Sequence, residues 1–255
     1  MRNWTMAILP LALTMTATGC SGADGNGGDR QDGSKGGPPA SVGPITTRDF
    51  ALTGFTGIDV AGPDDVTVRR GDAFSISARG RQEALDRLEI KLDGSTLVVG
   101  RKRTGFSFSN SDEDDVDIAI TLPKLDTVQL TGSGSIEADT VDGDAVKAVL
   151  TGSGDLKLGK LNGKSAKITL SGSGDIEVGG GKIGSGDVSI AGSGDVDADG
   201  LVAETLDISV AGSGSVEAQA TGQADISILG SGDVKLTGGA TCKTRQVGSG
   251  TATCK

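Results

Sequence analysis

A Gly-Ser-Gly triplet recurs through the second half of the chain, starting at Gly132, Gly152, Gly172, Gly192, Gly212, Gly230 and Gly248, in steps of 20, 20, 20, 20, 18 and 18 residues. Equal spacing of one turn constrains the fold strongly, because a stack of coils must bend where its neighbours bend. The flanks identify the coil. Apolar residues stand four and two positions before each first glycine and four and six after it, from Val128, Leu130, Ile136 and Ala138 in the first copy to Ile226, Ile228, Val234 and Leu236 in the sixth. Short polar residues alternate with them, the pattern of a strand with one face buried and one wet. A second turn signal falls midway, at Asp142-Gly143, Asn162-Gly163, Gly179 to Gly181, Asp199-Gly200, Gly222 and Gly238-Gly239. The expectation is an all-β chain, a β-solenoid (β-helix-like) whose coils each run strand, bend, strand, bend. At a rise of about 4.8 Å per coil, six steps make a column of roughly 29 Å. Its aliphatic interior leaves no room for a ligand.

The first half repeats the signature in weaker form. Ala61-Gly62-Pro63-Asp64-Asp65-Val66 aligns with Ala191-Gly192-Ser193-Gly194-Asp195-Val196, with alternation on both sides. Further strands are expected at Phe74 to Ala78, Leu88 to Leu92, Leu97 to Val99 and Val116 to Leu122, with a short helix at about Arg81 to Leu88. Residues 46–125 read as irregular N-terminal coils that cap the regular repeat of 126–255, since terminal repeats are atypical where an apolar end would otherwise be exposed. A separate small β domain packed on the solenoid is the alternative.

Residues 1–19 read as a lipoprotein signal peptide. Arg2 precedes an apolar run from Met6 to Ala17, too short for a bilayer that needs roughly 20 residues. Ala17-Thr18-Gly19-Cys20 resembles a bacterial lipobox, with Ala17 where Leu is more usual. Cys20 is then the lipidated residue, and the lipid the sole anchor to the membrane. An ordinary secretory signal with an incidental cysteine is the alternative. Residues 20–45 hold little to bury and read as a disordered tether. The location expected is extracytoplasmic, at the envelope face of a bacterial cell membrane. Net charge is −10, or −11 once Arg2 leaves with the signal, which argues against nucleic acid and against adsorption on anionic lipid.

Phe55-Thr56-Gly57-Ile58-Asp59-Val60, Leu88-Glu89-Ile90, Leu97-Val98-Val99, Ile120-Thr121-Leu122-Pro123 and the serial Gly-Ser-Gly-Asp bends together resemble the putative auto-transporter adhesin, head GIN domain family, over about residues 48–254. The resemblance implies a secreted or lipid-anchored envelope protein of β-solenoid type and proposes adhesion. It brings no catalytic residues.

The residues themselves offer little chemistry. The chain has no His and no Tyr, one Trp in the signal peptide, and five Phe. The commonest general base is absent, and no Ser-His or Cys-His pair can form. Gly179 to Gly184 fits a dinucleotide-binding glycine pattern, yet a strand follows where a helix is required. No catalytic, cofactor or metal residues are assigned. The expected role is a non-catalytic binding, adhesion or structural module, with a cell-wall or surface glycan or a protein as partner. The alternatives are a carbohydrate-active β-helix enzyme working through carboxylates, and a calcium-dependent surface-layer component.

The calcium alternative comes from Asp155, Asp175, Asp195 and Asp233, each directly after a triplet. Stacking would bring successive carboxylates about 5 Å apart, unless each accepts a backbone N–H as turn aspartates do. Outside the core, polar ladders are expected: Lys147, Lys167, Ser189, Asp207 and Ser227 before the bends, and Glu137, Lys157, Glu177, Asp197, Glu217 and Lys235 after them. The stretch from Arg101-Lys102-Arg103 through Phe106 and Phe108 to Asp112-Glu113-Asp114-Asp115 reads as a solvated loop or a contact surface. Cys242 and Cys254 stand six residues either side of Gly248. In an oxidising compartment they are expected to pair, provided the last coil pinches to bring its Cα atoms towards the roughly 5.5 Å a disulfide needs.

Overall fold

In the computed structural model, which describes residues 44–102 and 115–255, the triplets stack. Gly132, Gly152, Gly172, Gly192, Gly212, Gly230 and Gly248 each pair with the next in register. The described residues all belong to one compact unit. In chain order its elements are Ile45–Asp49 (β1), Gly57–Gly62 (β2), Asp65–Arg70 (β3), Ser75–Arg81 (β4), Gln82–Arg87 (α1), Leu88–Asp93 (β5), Thr96–Arg101 (β6), Asp117–Leu122 (β7) and Thr127–Gly132 (β8). There follow Ser135–Gly152 (β9), Asp155–Gly172 (β10), Asp175–Val178 (β11), Gly181–Gly192 (β12), Val196–Gly212 (β13), Val216–Gly230 (β14), Asp233–Thr237 (β15), Thr241–Gly248 (β16) and Thr251–Cys254 (β17). The fold is a β-solenoid of about 6 turns.

Each coil has one arm before the triplet and one after it, and all pairings from β8 onward are parallel. The alternating aliphatics of both arms, such as Leu156, Leu158, Ile168 and Leu170, meet in the interior and are buried. One coil could not shield that face alone; stacked coils can. Between β9 and β10 the midway bend does not break the ladder. Leu161, Asn162 and Gly163 still pair with Val141, Asp142 and Gly143, so the arms are joined by a short hydrogen-bonded side. That side adds Val141, Leu161 and Leu201 to the core, residues the alternation alone does not pick out.

The triplet glycines are required by two separate constraints. Gly172 has φ +134°, a conformation L side chains rarely adopt. Gly174 carries no such φ, but a Cβ there would fall onto the Gly154 carbonyl oxygen of the coil before.

The first half joins the column out of sequence order. β2 lies between β6 and β8, and β3 between β7 and β9, all parallel. The outermost parallel coil, β6 with β7, therefore comes later in the chain than the coil it covers. Antiparallel strands close that end: β5 on β6, β4 on β7 and β1 on β4. Phe55 is buried there, with its ring centroid 5.0 Å from that of Phe74, and α1 contributes the buried Ala84 and Leu85.

At the other end the inward positions turn polar. Cys242, Thr244 and Gln246 pair with Ala224, Ile226 and Ile228, and Gln246 Nε2 donates to the Gly250 carbonyl. Cys242 and Cys254 form a disulfide with Cα atoms 6.6 Å apart. The two arms of the last coil do pinch. Cross-linking residues 12 apart is worth about 3 kcal/mol by loop entropy. In a quasi-one-dimensional stack that stabilisation stays local. The double substitution C242S/C254S is expected to speed amide exchange in β16 and β17 while β9 to β13 keep their protection. Uniform loss of protection along the column would contradict this.

Candidate binding surfaces

Two outer faces are built by the two arms. On the arm after the triplet, Glu137, Lys157, Glu177, Asp197, Glu217 and Lys235 form one column as the sequence suggests. Part of its charge is answered by neighbours. Arg69 reaches Glu137 at 3.1 Å and Lys235 reaches Glu217 at 2.7 Å. That hydrogen bond, and then the Glu217 charge, hold the Lys235 ammonium above its usual range.

The arm before the triplet separates what the sequence reading ran together. Thr127, Lys147, Lys167, Asp187, Asp207, Asp225 and Lys243 form one column, five residues before the glycine. Ser189 and Ser227 belong to the next column, with Asp59, Gln129, Val149, Thr169, Ser209 and Arg245. The difference arises because positions three and five before the bend both point outward and only register tells them apart.

This second face is concave. A depression of about 480 Å³ runs over Lys147, Lys167, Ser165, Ser185, Gly186 and Asp187. A second, of about 230 Å³, adjoins it over Asp187, Asp207, Asp225, Lys243 and Arg245. Lys147 Nζ donates to Gln129 Oε1 at 3.1 Å, and Lys167 Nζ lies 3.4 Å from Asp187 Oδ2 with both side chains about half exposed. Exposed pairs of this kind are worth about 0–1 kcal/mol, so either lysine exchanges its partner at little cost. Burial raises the carboxyl of Asp59 above the ordinary range, and the charge of Lys147 partly opposes the rise.

Three of the aspartates after the triplets, Asp175, Asp195 and Asp233, accept from the backbone of the next coil. Asp175 accepts the Asp195 N–H at 3.1 Å, Asp195 accepts the Ser215 N–H at 2.7 Å, and Asp233 accepts both the N–H and the hydroxyl of Thr251 at 2.9 and 2.6 Å. Each carboxylate thus ties its coil to the next. Among the described residues no group of three or more His, Cys, Asp or Glu is gathered as a metal would need.

The expected loop from Arg101 to Asp115 lies, from 103 to 114, outside the described residues, as does Cys20. Arg101 itself is not a loop residue. It ends β6, and its guanidinium holds the carboxylate of Asp64, Nε to Oδ2 at 3.1 Å and Nη2 to Oδ1. Asp64 is fully buried; its Oδ1 also accepts the Val116 N–H at 3.2 Å. In register, Asp64 occupies the third position of the bend, where Gly134 stands in the coil above. One carboxylate therefore holds the chain where it leaves the capping coil and where it returns. The sequence signal was Gly62-Pro63-Asp64 in place of Gly-Ser-Gly; the partner was not legible. No helix among the described residues is long and apolar enough to cross a membrane.

Residues 54–240 match the family described as putative auto-transporter adhesin, head GIN domain. No curated protein matches the chain significantly. The fold is shared with a putative adhesin from Bacteroides fragilis NCTC 9343, at 19% identity and TM-score 0.71, over 83% of this chain and 97% of that one. It is also shared with a putative lipid binding protein from Parabacteroides distasonis ATCC 8503, at 24% identity and TM-score 0.64, over 84% of this chain and 97% of that one. A putative adhesin from Parabacteroides merdae ATCC 43184 is similar at 18% identity and TM-score 0.64, over 84% and 97%.

Proposed function

The chain belongs to the putative auto-transporter adhesin, head GIN domain family, and on that premise we propose that it is a non-catalytic binding module, held outside the cell membrane by a lipid on Cys20, which meets acidic groups of a surface glycan along its concave face. The observation that carries the reading is the depression over Lys147 and Lys167. It is lined by the serines of Ser165 and Ser185 and by Gly186, so hydroxyl donors stand beside two ammonium groups. The core is filled with aliphatic side chains, so a ligand has to be met from outside. With no aromatic side chain among the residues lining either depression, each contact is weak. The strength then comes from many copies acting together.

The unit 42–255, free in solution, is expected to bind fractionated surface glycans poorly. The same unit coupled densely to liposomes through its N-terminus is expected to bind roughly a hundredfold more strongly or better, and K147E/K167E to remove most of that gain. Tight one-to-one binding by the soluble monomer, indifferent to K147E/K167E, would reject the reading.

A further inference from the structure

On the concave face the outward residues five, three and one positions before the bend read Asp187, Ser189, Ala191 in β12, then Asp207, Ser209, Ala211 in β13, and Asp225, Ser227, Leu229 in β14. In β16 they read Lys243, Arg245, Val247, in register with the row before. The position next to the glycine is Ala, Thr or Ser in every other coil, at Ala61, Thr131, Thr151, Ser171, Ala191 and Ala211. It becomes a large aliphatic only in the last two coils. Leu229 and Val247 pair directly and are 60% and 67% exposed. Nothing in the coil requires this change, since the position points outward and a small residue serves it six times.

We infer that this end of the concave face pairs with a second copy of the chain about a two-fold axis. The axis runs parallel to the strands and passes between β14 and β16. Such an operation reverses the direction of stacking but keeps each column facing its own counterpart. Lys243 of each copy then meets Asp225 of the other, Arg245 meets Ser227, and Val247 meets Leu229. Charge falls on opposite charge and aliphatic on aliphatic, the self-complementarity an isologous interface demands. The depression over Asp187, Asp207 and Asp225 gives the long cationic side chains of the second copy room to enter.

An anionic membrane fits less well. The carboxylates of Asp225, Asp207 and Asp187 follow Lys243 at steps of about 4.8 Å, so the first lies well inside a Debye length of about 8–10 Å and the second near its limit. They would repel the surface that the cations attract. A second copy brings its Lys243 onto Asp225, the nearest of them.

Two facing rows bury on the order of 800 Å² in total, below the roughly 1,200 Å² of a stable interface. The pair is therefore weak, forming at high local concentration. The inference does not depend on the glycan reading above, because it is tested without any glycan. Sedimentation equilibrium of the 42–255 unit should show mass rising from monomer towards dimer as concentration approaches about a millimolar, with the rise suppressed by high salt. V247D and K243E should each weaken association about tenfold or more while leaving the melting temperature unchanged, both sites being exposed. D225K should weaken it similarly. An equimolar mixture of K243E and D225K should associate again, because each copy then offers the charge the other lacks. A wild type that stays monomeric throughout, a mixture that fails to associate, or a V247D variant that pairs like wild type overturns the inference. Binding of a monomeric wild type to phosphatidylglycerol vesicles, lost in K243E, would assign the row to a membrane and overturn it too.

Discussion

Gly174→Ala is expected to lower stability by about 3–5 kcal/mol, a loss read as a large fall in the urea midpoint of the 42–255 unit. The added Cβ would overlap the Gly154 carbonyl oxygen, and because that atom is backbone no side-chain rotation relieves the overlap. The two coils must part. The bonds at risk are those of the bend itself: Ser173 N–H to Gly152 O at 2.9 Å, Gly174 N–H to Gly152 O at 3.3 Å and Asp175 N–H to Gly154 O at 3.3 Å. Each hydrogen bond is worth about 0.5–1.5 kcal/mol net, and more when its partner is left unpaired. Gly180→Ala is the control. A Cβ at Gly180 meets nothing nearer than the Gly200 carbonyl at 3.6 Å, so its stability should change by roughly 0.5 kcal/mol or less. Equal effects at the two sites would mean that chain flexibility, and not the distance between coils, makes these glycines necessary.

The second large effect concerns Asp64. Asp64→Ala is expected to cost about 3–5 kcal/mol, as removing one partner of a buried ion pair does. It leaves the Arg101 guanidinium, with its side chain only 18% exposed, facing an apolar methyl, and it frees the Val116 N–H. Arg101→Met should cost a similar amount for the converse reason. The double variant D64A/R101M should be less destabilised than the sum of the two, since both members of the pair are then gone together. Strict additivity in chemical denaturation would show that the pair does not act as one unit. The position explains the sensitivity: the carboxylate holds both roots of the connection between β6 and β7, so its loss loosens the coil that shields the end of the apolar core.

Much of the regular column was legible because every coil obeys the same local rule. Counting from a glycine gives the inward residues Leu156, Ile176 and Val196 without any knowledge of the rest. The pairing of Cys242 with Cys254 was legible for the same reason, since both share inward parity about one bend. The linking side was not. Val141 and Leu161 are isolated apolar residues between polar neighbours, and no periodicity marks them as core. The place of β6 and β7 outside β2 and β3 was equally hidden, because no local pattern records which coil a strand will cover. At the surface, Ser189 and Asp207 were grouped although counting from their glycines separates them. The change to Lys243, Arg245 and Val247 is visible in the same count, but its meaning depends on which carboxylates lie beside it, and that is a matter of register.

The crossing of the chain at the capped end governs the order in which the molecule can assemble. A chain that emerges with its N-terminus leading delivers β2 and β3 first, and these strands form the inside of a sandwich with neither cover yet present. Their lower cover arrives with β6 and β7, their upper cover with β8 and the start of β9. The first shielded seed therefore spans residues up to about Ala138 and requires pairings between distant segments, which close slowly. Each later coil needs only the one before it, so growth from the seed is local and fast. Folding thus divides into a slow wait, in which about half the chain must gather, and a rapid winding of the remainder onto a finished template.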